Sequence, residues 1–178
     1  MAKTTATTKL VTKSPSTISN PGMFKADDRQ KMRGQVAIDE NRLERFPNRT
    51  KERRYVIEFT SPEFTCLCPK TGFPDFATIY IRYVPDGFCV ELKSLKLYIN
   101  SFRDKHVFHE DVTNHILDDL KKLLAPHWIE VITDFNVRGN IKTVIRAEEG
   151  KKGFRPPVPV PATPFAGGAG GTTFNHSI

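Results

Sequence analysis

Residues 76 to 84 read Phe-Ala-Thr-Ile-Tyr-Ile-Arg-Tyr-Val, and Pro85, Asp86 and Gly87 follow. Apolar and polar side chains alternate through the first stretch, which is rich in β-branched and aromatic residues, so it reads as a strand with one face in a core. Pro-Asp-Gly is turn chemistry. Phe88 to Lys93 then reads as the returning strand of a hairpin, and Ser94 as the N-cap of a helix carrying Leu95, Tyr98, Ile99 and Phe102 on one face.

The same reading extends in both directions. Upstream, Tyr55 to Thr60 fits a further strand. Downstream, Val112, Ile116, Leu120 and Leu123 recur at helical spacing, with Glu110 and Asp111 where the helix dipole favours acids and Lys121 and Lys122 where it favours bases. Pro126 stops that helix. Trp128 to Val137 and Ile141 to Ala147 read as strands joined by a short turn at Arg138-Gly139-Asn140. The order ββααββ, two hairpins flanking a helix pair, predicts an α+β domain: an antiparallel sheet with helices on one face. No Gly-x-Gly-x-x-Gly follows a strand, so any dinucleotide must be held by something other than a Rossmann turn.

Composition bounds this domain at residues 42–153. Residues 1–41 read as a basic, flexible N-terminal extension and residues 154–178 as a Pro/Gly-rich tail, both too poor in apolar side chains to offset chain entropy. The net charge of +7 sits in the first 54 residues, which hold 13 Lys and Arg against 6 Asp and Glu; the remaining 124 hold 14 of each. A neutral body argues against a stable nucleic-acid partner. No apolar run reaches the length of a membrane span and no signal core follows Met1, so no membrane partner and a cytoplasmic location are expected. Three cysteines, Cys66, Cys68 and Cys89, suit reduced thiols better than a disulfide framework.

Three clusters carry potential chemistry. The first is Cys66-Leu67-Cys68-Pro69-Lys70-Thr71-Gly72-Phe73-Pro74-Asp75, a loop between strands. A thiolate there is a nucleophile, Lys70 or a nest of main-chain amides can lower its pKa, and Asp75 can move a proton. The same cysteines could instead be small buried hydrophobes. Zinc is disfavoured, because Cys-x-Cys is shorter than a structural knuckle and no second ligand pair accompanies it; no metal is expected. The second cluster, Glu91 to Tyr98, places Lys93 and Lys96 three residues apart beside a helix start, which suits phosphate or simply a solvated face. The third, Phe108-His109-Glu110-Asp111, opens the next helix; the Glu110 carboxylate matches the paired donors of a guanine edge, or serves as an ordinary first-turn acid.

In this order and at these separations, Cys-Pro-Lys-Thr-Gly-x-Pro-Asp, Glu-Leu-Lys-Ser-Leu-Lys-Leu-Tyr and Phe-His-Glu-Asp resemble the short 7-cyano-7-deazaguanine reductases, the nitrile reductases of the queuosine (tRNA modification) pathway. The resemblance runs from about Leu43 to Gly153 and covers neither tail. It implies the tunnelling fold, in which the ββααββ unit assembles into oligomeric rings, and a homo-oligomer such as a decamer of two pentameric rings. It implies Cys68 as the nucleophile that forms a thioimide with the nitrile and Asp75 as the acid. It implies Val90, Glu91, Leu92, His109 and Glu110 around the base 7-cyano-7-deazaguanine, Lys93, Ser94 and Lys96 in the cofactor motif, and NADPH as the reductant. One alternative keeps the thiol but makes an amidine on a tRNA base; such a transferase would not need the Glu91 to Tyr98 segment. Another is a non-catalytic RNA-binding module, which the neutral body opposes.

Overall fold

The computed structural model describes residues 33–154. The elements in chain order are α1 (Arg33–Asp39), β1 (Arg45–Pro47), β2 (Ile57–Leu67), β3 (Pro74–Val84), β4 (Phe88–Val90), α2 (Leu92–Asn100), a 3-10 turn (Ser101–Asp104), α3 (His109–Leu124), β5 (Trp128–Arg138) and β6 (Ile141–Gly150). Strands β2, β3, β5 and β6 form one antiparallel sheet in the order β2-β3-β5-β6. Helices α2 and α3 cover one of its faces, the α+β arrangement expected from the ββααββ order.

Alternation builds the core. Odd-numbered β3 residues Ala77, Ile79, Ile81 and Tyr83 face the helices, together with Val131 and Phe135 of β5. Against them pack Leu95, Ile99 and Phe102 from the α2 side and Val112, Ile116, Leu120 and Leu124 of α3. Leu120 is fully buried at the centre of that face. Leu120→Ala is expected to cost about 2–5 kcal/mol, because the cavity adds to the lost transfer energy; a chemical denaturation midpoint unchanged from wild type would contradict this packing. The opposite face carries an ion ladder, with Arg82 bonded to Glu58 at 2.6 Å and to Glu130 at 3.4 Å.

Several local expectations need correcting. β2 does not stop at Thr60: it continues to Leu67 through an irregularity between Ser61 and Phe64. Pro62, which has no N–H to donate, falls in that interruption and reads as a strand breaker in sequence. Phe88 to Lys93 is not the returning strand of β3. Both edges of β3 are taken by β2 and β5, so the three-residue β4 pairs with β1 instead. Ser94 is not the N-cap of α2. Glu91 is, its carboxylate accepting from the amides of Lys93 at 2.9 Å and Ser94 at 2.7 Å.

The β5–β6 turn has the form its residues suggest. Gly139 (φ 53°) and Asn140 (φ 66°) both lie in the left-handed region that a two-residue hairpin turn of the primed type requires. Asparagine tolerates that region better than most side chains.

At the edges of the domain the structure adds two features. Helix α1 falls within the stretch expected to be flexible, and just after it Asn41 donates to the Ser94 carbonyl at 3.0 Å. Phe154, placed in the tail by composition, stacks on His127 with ring centroids 5.5 Å apart. The rest of the N-terminal extension and of the tail lies outside the described residues. Among the described residues no helix is long and apolar enough to cross a membrane.

Candidate active site

The β2–β3 connection forms the first wall of the site. Pairing of Cys66 with Asp75 and Leu67 with Pro74 closes the hairpin, and the Cys68 amide donates to the Phe73 carbonyl at 2.9 Å. Gly72 (φ 72°) supplies the left-handed residue that lets its amide return to the Cys68 carbonyl at 2.8 Å. Cys66 and Asp75 are paired across the hairpin and lie on the helix side of the sheet, and Cys68 follows just past the end of β2. Position along the strand then separates the two thiols. Cys66 is sealed in the core and burial pushes its thiol up to about 11, whereas Cys68, at the rim, is half-buried.

The rim thiol is shifted the other way. The Thr71 hydroxyl, then the amides of Thr71 and Lys70, hold the Cys68 thiol below its ordinary value, against the opposing pull of desolvation and the Asp75 carboxylate. Lys70 therefore acts through its backbone and not through its ammonium, which is the main-chain nest of the two options its position allowed.

The second wall comes from the chain between α2 and α3. Segment 105–107 runs beside β2, Leu67 donating to the Lys105 carbonyl at 2.9 Å and Val107 to the Leu67 carbonyl at 3.0 Å. This anchors the start of α3 at the thiol end of the sheet. His109, the first residue of α3, stacks flat on Phe135, with centroids 3.6 Å apart and an interplanar angle of 9°. Its Nε2 lies 3.3 Å from Asp75 Oδ2. Thr113 fixes that turn by bonding the His109 carbonyl at 2.8 Å and the Thr133 hydroxyl at 2.5 Å. Glu110, beside it, is exposed, and its carboxylate bonds no other group among the described residues.

Asp75 is the hub. Only 3% of its side chain is exposed, yet its two oxygens face His109 and the guanidinium of Arg138, the last residue of β5. In the sequence Arg138 stands in a turn motif far from the thiol loop. Its proximity to Asp75 comes from sheet register across 63 residues of chain, which no local motif displays.

The remaining cluster lies elsewhere. Val90 is buried, its amide donating to the Tyr83 hydroxyl at 3.1 Å. Glu91 is occupied as the α2 cap, and that contact with two amides holds its carboxyl low. Ser94 is buried with its hydroxyl donating to the Glu91 carbonyl at 2.8 Å and accepting from the Glu44 amide at 3.0 Å. Leu92, Lys93 and Lys96 are exposed. Tyr83 is eight residues from Asp75 along β3, so Val90 to Lys96 begin about 26 Å from the thiol end at about 3.3 Å per residue. Within one chain the two clusters do not meet. The two prominent cavities, about 890 and 510 Å³, are lined by neither Cys68 nor Asp75.

The chain matches the QueF-like protein family over residues 74–153. It is 53% identical over 118 residues to the NADPH-dependent 7-cyano-7-deazaguanine reductase of Aquifex aeolicus (strain VF5), covering 66% of this chain and 92% of that protein. The chain belongs to the 7-cyano-7-deazaguanine reductase family. The relative of the same name from Anaeromyxobacter sp. (strain Fw109-5) is 59% identical over 110 residues, covering 62% of this chain and 90% of that one. That from Thermomicrobium roseum is 61% identical over 105 residues, covering 59% and 82%. Among solved structures, the crystal structure of the archaeosine synthase QueF-Like in the apo form superposes with a TM-score of 0.51 at 19% identity, over 54% of this chain and 94% of that one. The family's tunnelling fold is thus the fold seen here.

Proposed function

We propose that the protein reduces the nitrile of 7-cyano-7-deazaguanine to a primary amine, with NADPH as reductant and Cys68 as covalent nucleophile, for queuosine synthesis. The observation that carries the chemistry is the thiol held low at the rim, beside a buried carboxylate with His109 behind it. The substrate and cofactor come from relatives at 53–61% identity, all named reductases, so an amidine-forming transferase is not favoured.

The residues divide the work by their atoms. Cys68 Sγ adds to the nitrile carbon, and the nitrogen takes a proton from Asp75, giving a thioimide. His109, in contact with the other carboxylate oxygen, is placed to restore that proton. When bound, NADPH supplies hydride, and two are needed to reach the amine. The sulfur must therefore add once and leave once, and each event moves a proton through the same carboxylate. The Glu110 carboxylate, unspent on protein partners, suits the ring N–H and amine of the base.

The cofactor fits the second cluster in a restricted way. Glu91 already fills the first amides of α2, so a phosphate there would be held by the Lys93 and Lys96 ammoniums, with Ser94 bracing the helix start. Because Val90, Glu91 and Leu92 begin about 26 Å along the strand from the thiol, they reach a base bound at Cys68 only from a neighbouring copy. A homo-oligomeric ring with sites between subunits supplies that copy. Purified protein mixed with 7-cyano-7-deazaguanine and NADPH should lose absorbance at the reduced-nicotinamide band in proportion to nitrile consumed; oxidation that ignores the nitrile, or none, would sink the reading.

A further inference from the structure

Arg138 has no part in the chemistry described so far, yet it is bonded to the carboxylate that does and its charge acts on the thiol beside it. Its Nη1 bonds the buried Asp75 Oδ1, and its positive charge is close enough to Cys68 for each to influence the other. The contact is reciprocal: Asp75 first, with a smaller contribution from Cys68, strengthens the hold of Arg138 on its proton. The backbone that carries the guanidinium is set by the end of β5 and the left-handed pair Gly139 and Asn140 that follows it.

A thiolate and a carboxylate side by side repel, and Asp75 does oppose ionisation of Cys68. Nitrile capture needs a sulfur without its proton and a carboxyl that has one. Those requirements are met by moving a single proton within the pair, from Cys68 to Asp75. The pair then carries one negative charge as carboxylate and thiol, and still one as thiolate and carboxylic acid. After addition, sulfur is bonded to carbon, the proton is on the former nitrile nitrogen, and the charge is back on Asp75. One fixed cation matches the pair at every stage.

We propose that Arg138 is the standing counter-ion of the Cys68–Asp75 pair, holding one negative charge that passes between sulfur and carboxylate as the nitrile is captured. This deepens the reductase reading and depends on it for the nitrile. A cation already in position costs no reorganisation when the charge moves, and its donors can serve sulfur and oxygen together.

The test needs neither substrate nor cofactor, so its failure is separable from failure of the reductase reading. Cys68 is alkylated by iodoacetamide across a range of pH and followed by peptide mass; Cys66 and Cys89 are buried and the mapping distinguishes them. In Arg138→Gln the rate at pH 7 should fall about 10-fold, corresponding to an inflection about one pH unit higher. Arg138→Lys should recover most of the loss. Arg138→Gln combined with Asp75→Asn should return toward wild type, because the repelling carboxylate has gone with its counter-ion, and that non-additivity is what a merely structural arginine would not produce. Should Arg138→Gln not fold, Asp75→Asn alone decides, since removing the competing anion leaves the guanidinium's charge to sulfur and should raise the rate at pH 7 several-fold. An Arg138→Gln profile overlying wild type, a loss equally large with and without Asp75, or no rise in Asp75→Asn would overturn the proposal.

Discussion

Cys68→Ala should leave a folded protein that forms no adduct with the nitrile and turns over at least about 10³-fold more slowly, since nothing else at the site replaces a missing nucleophile. The fold should survive because the loop is shaped by its main chain. The Cys68 amide bonds the Phe73 carbonyl and the Gly72 amide bonds the Cys68 carbonyl, and alanine keeps both. Cys66→Ala is the matching control. That sulfur lies in the core with no exposure, so its removal should cost about 1–2 kcal/mol of stability while the adduct still forms. Intact mass after incubation with the nitrile, without cofactor, reads both variants; an adduct on Cys68→Ala would remove the nucleophile from the proposal.

The two cysteines also show what sequence could and could not convey. Cys66, Cys68 and Asp75 are readable as a loop motif because their chemistry is local. That one thiol is inert and the other activated depends on where β2 ends, and Pro62 disguises the course of that strand. The positions of β3 and α3 were legible because their apolar periods are long and regular, and burial follows those periods. The start of α2 was not, because serine is the commoner cap and the carboxylate three residues earlier took the role. Pairing of β4 was hidden for a topological reason: adjacency in sequence suggests a hairpin, but β5 already occupies that edge of β3. The same nonlocality hides the contact of Arg138 with Asp75. It likewise hides that β3 carries Val90 to Lys96 to the end of the sheet opposite the thiol loop.

Asp75→Asn should separate the two duties assigned to that carboxylate. The substitution keeps the shape and leaves an oxygen that can accept from Arg138, so the site should retain its geometry. It removes the group that gives and takes the proton, and general acid–base catalysis of this kind contributes about 10²–10⁴-fold. Turnover should drop by that factor. Thiol reactivity should move the other way, because the carboxylate opposes ionisation of Cys68 and the amide does not. The sign follows from the charge: the thiolate is the form that alkylates, its share rises with pH through the inflection, and loss of a neighbouring anion moves that inflection to lower pH. A sulfur that alkylates faster in an enzyme that reduces more slowly locates the defect in proton delivery. If both rates fell together, the loss would lie in the shape of the loop, and the acid would have to be sought in His109, which touches the same carboxylate.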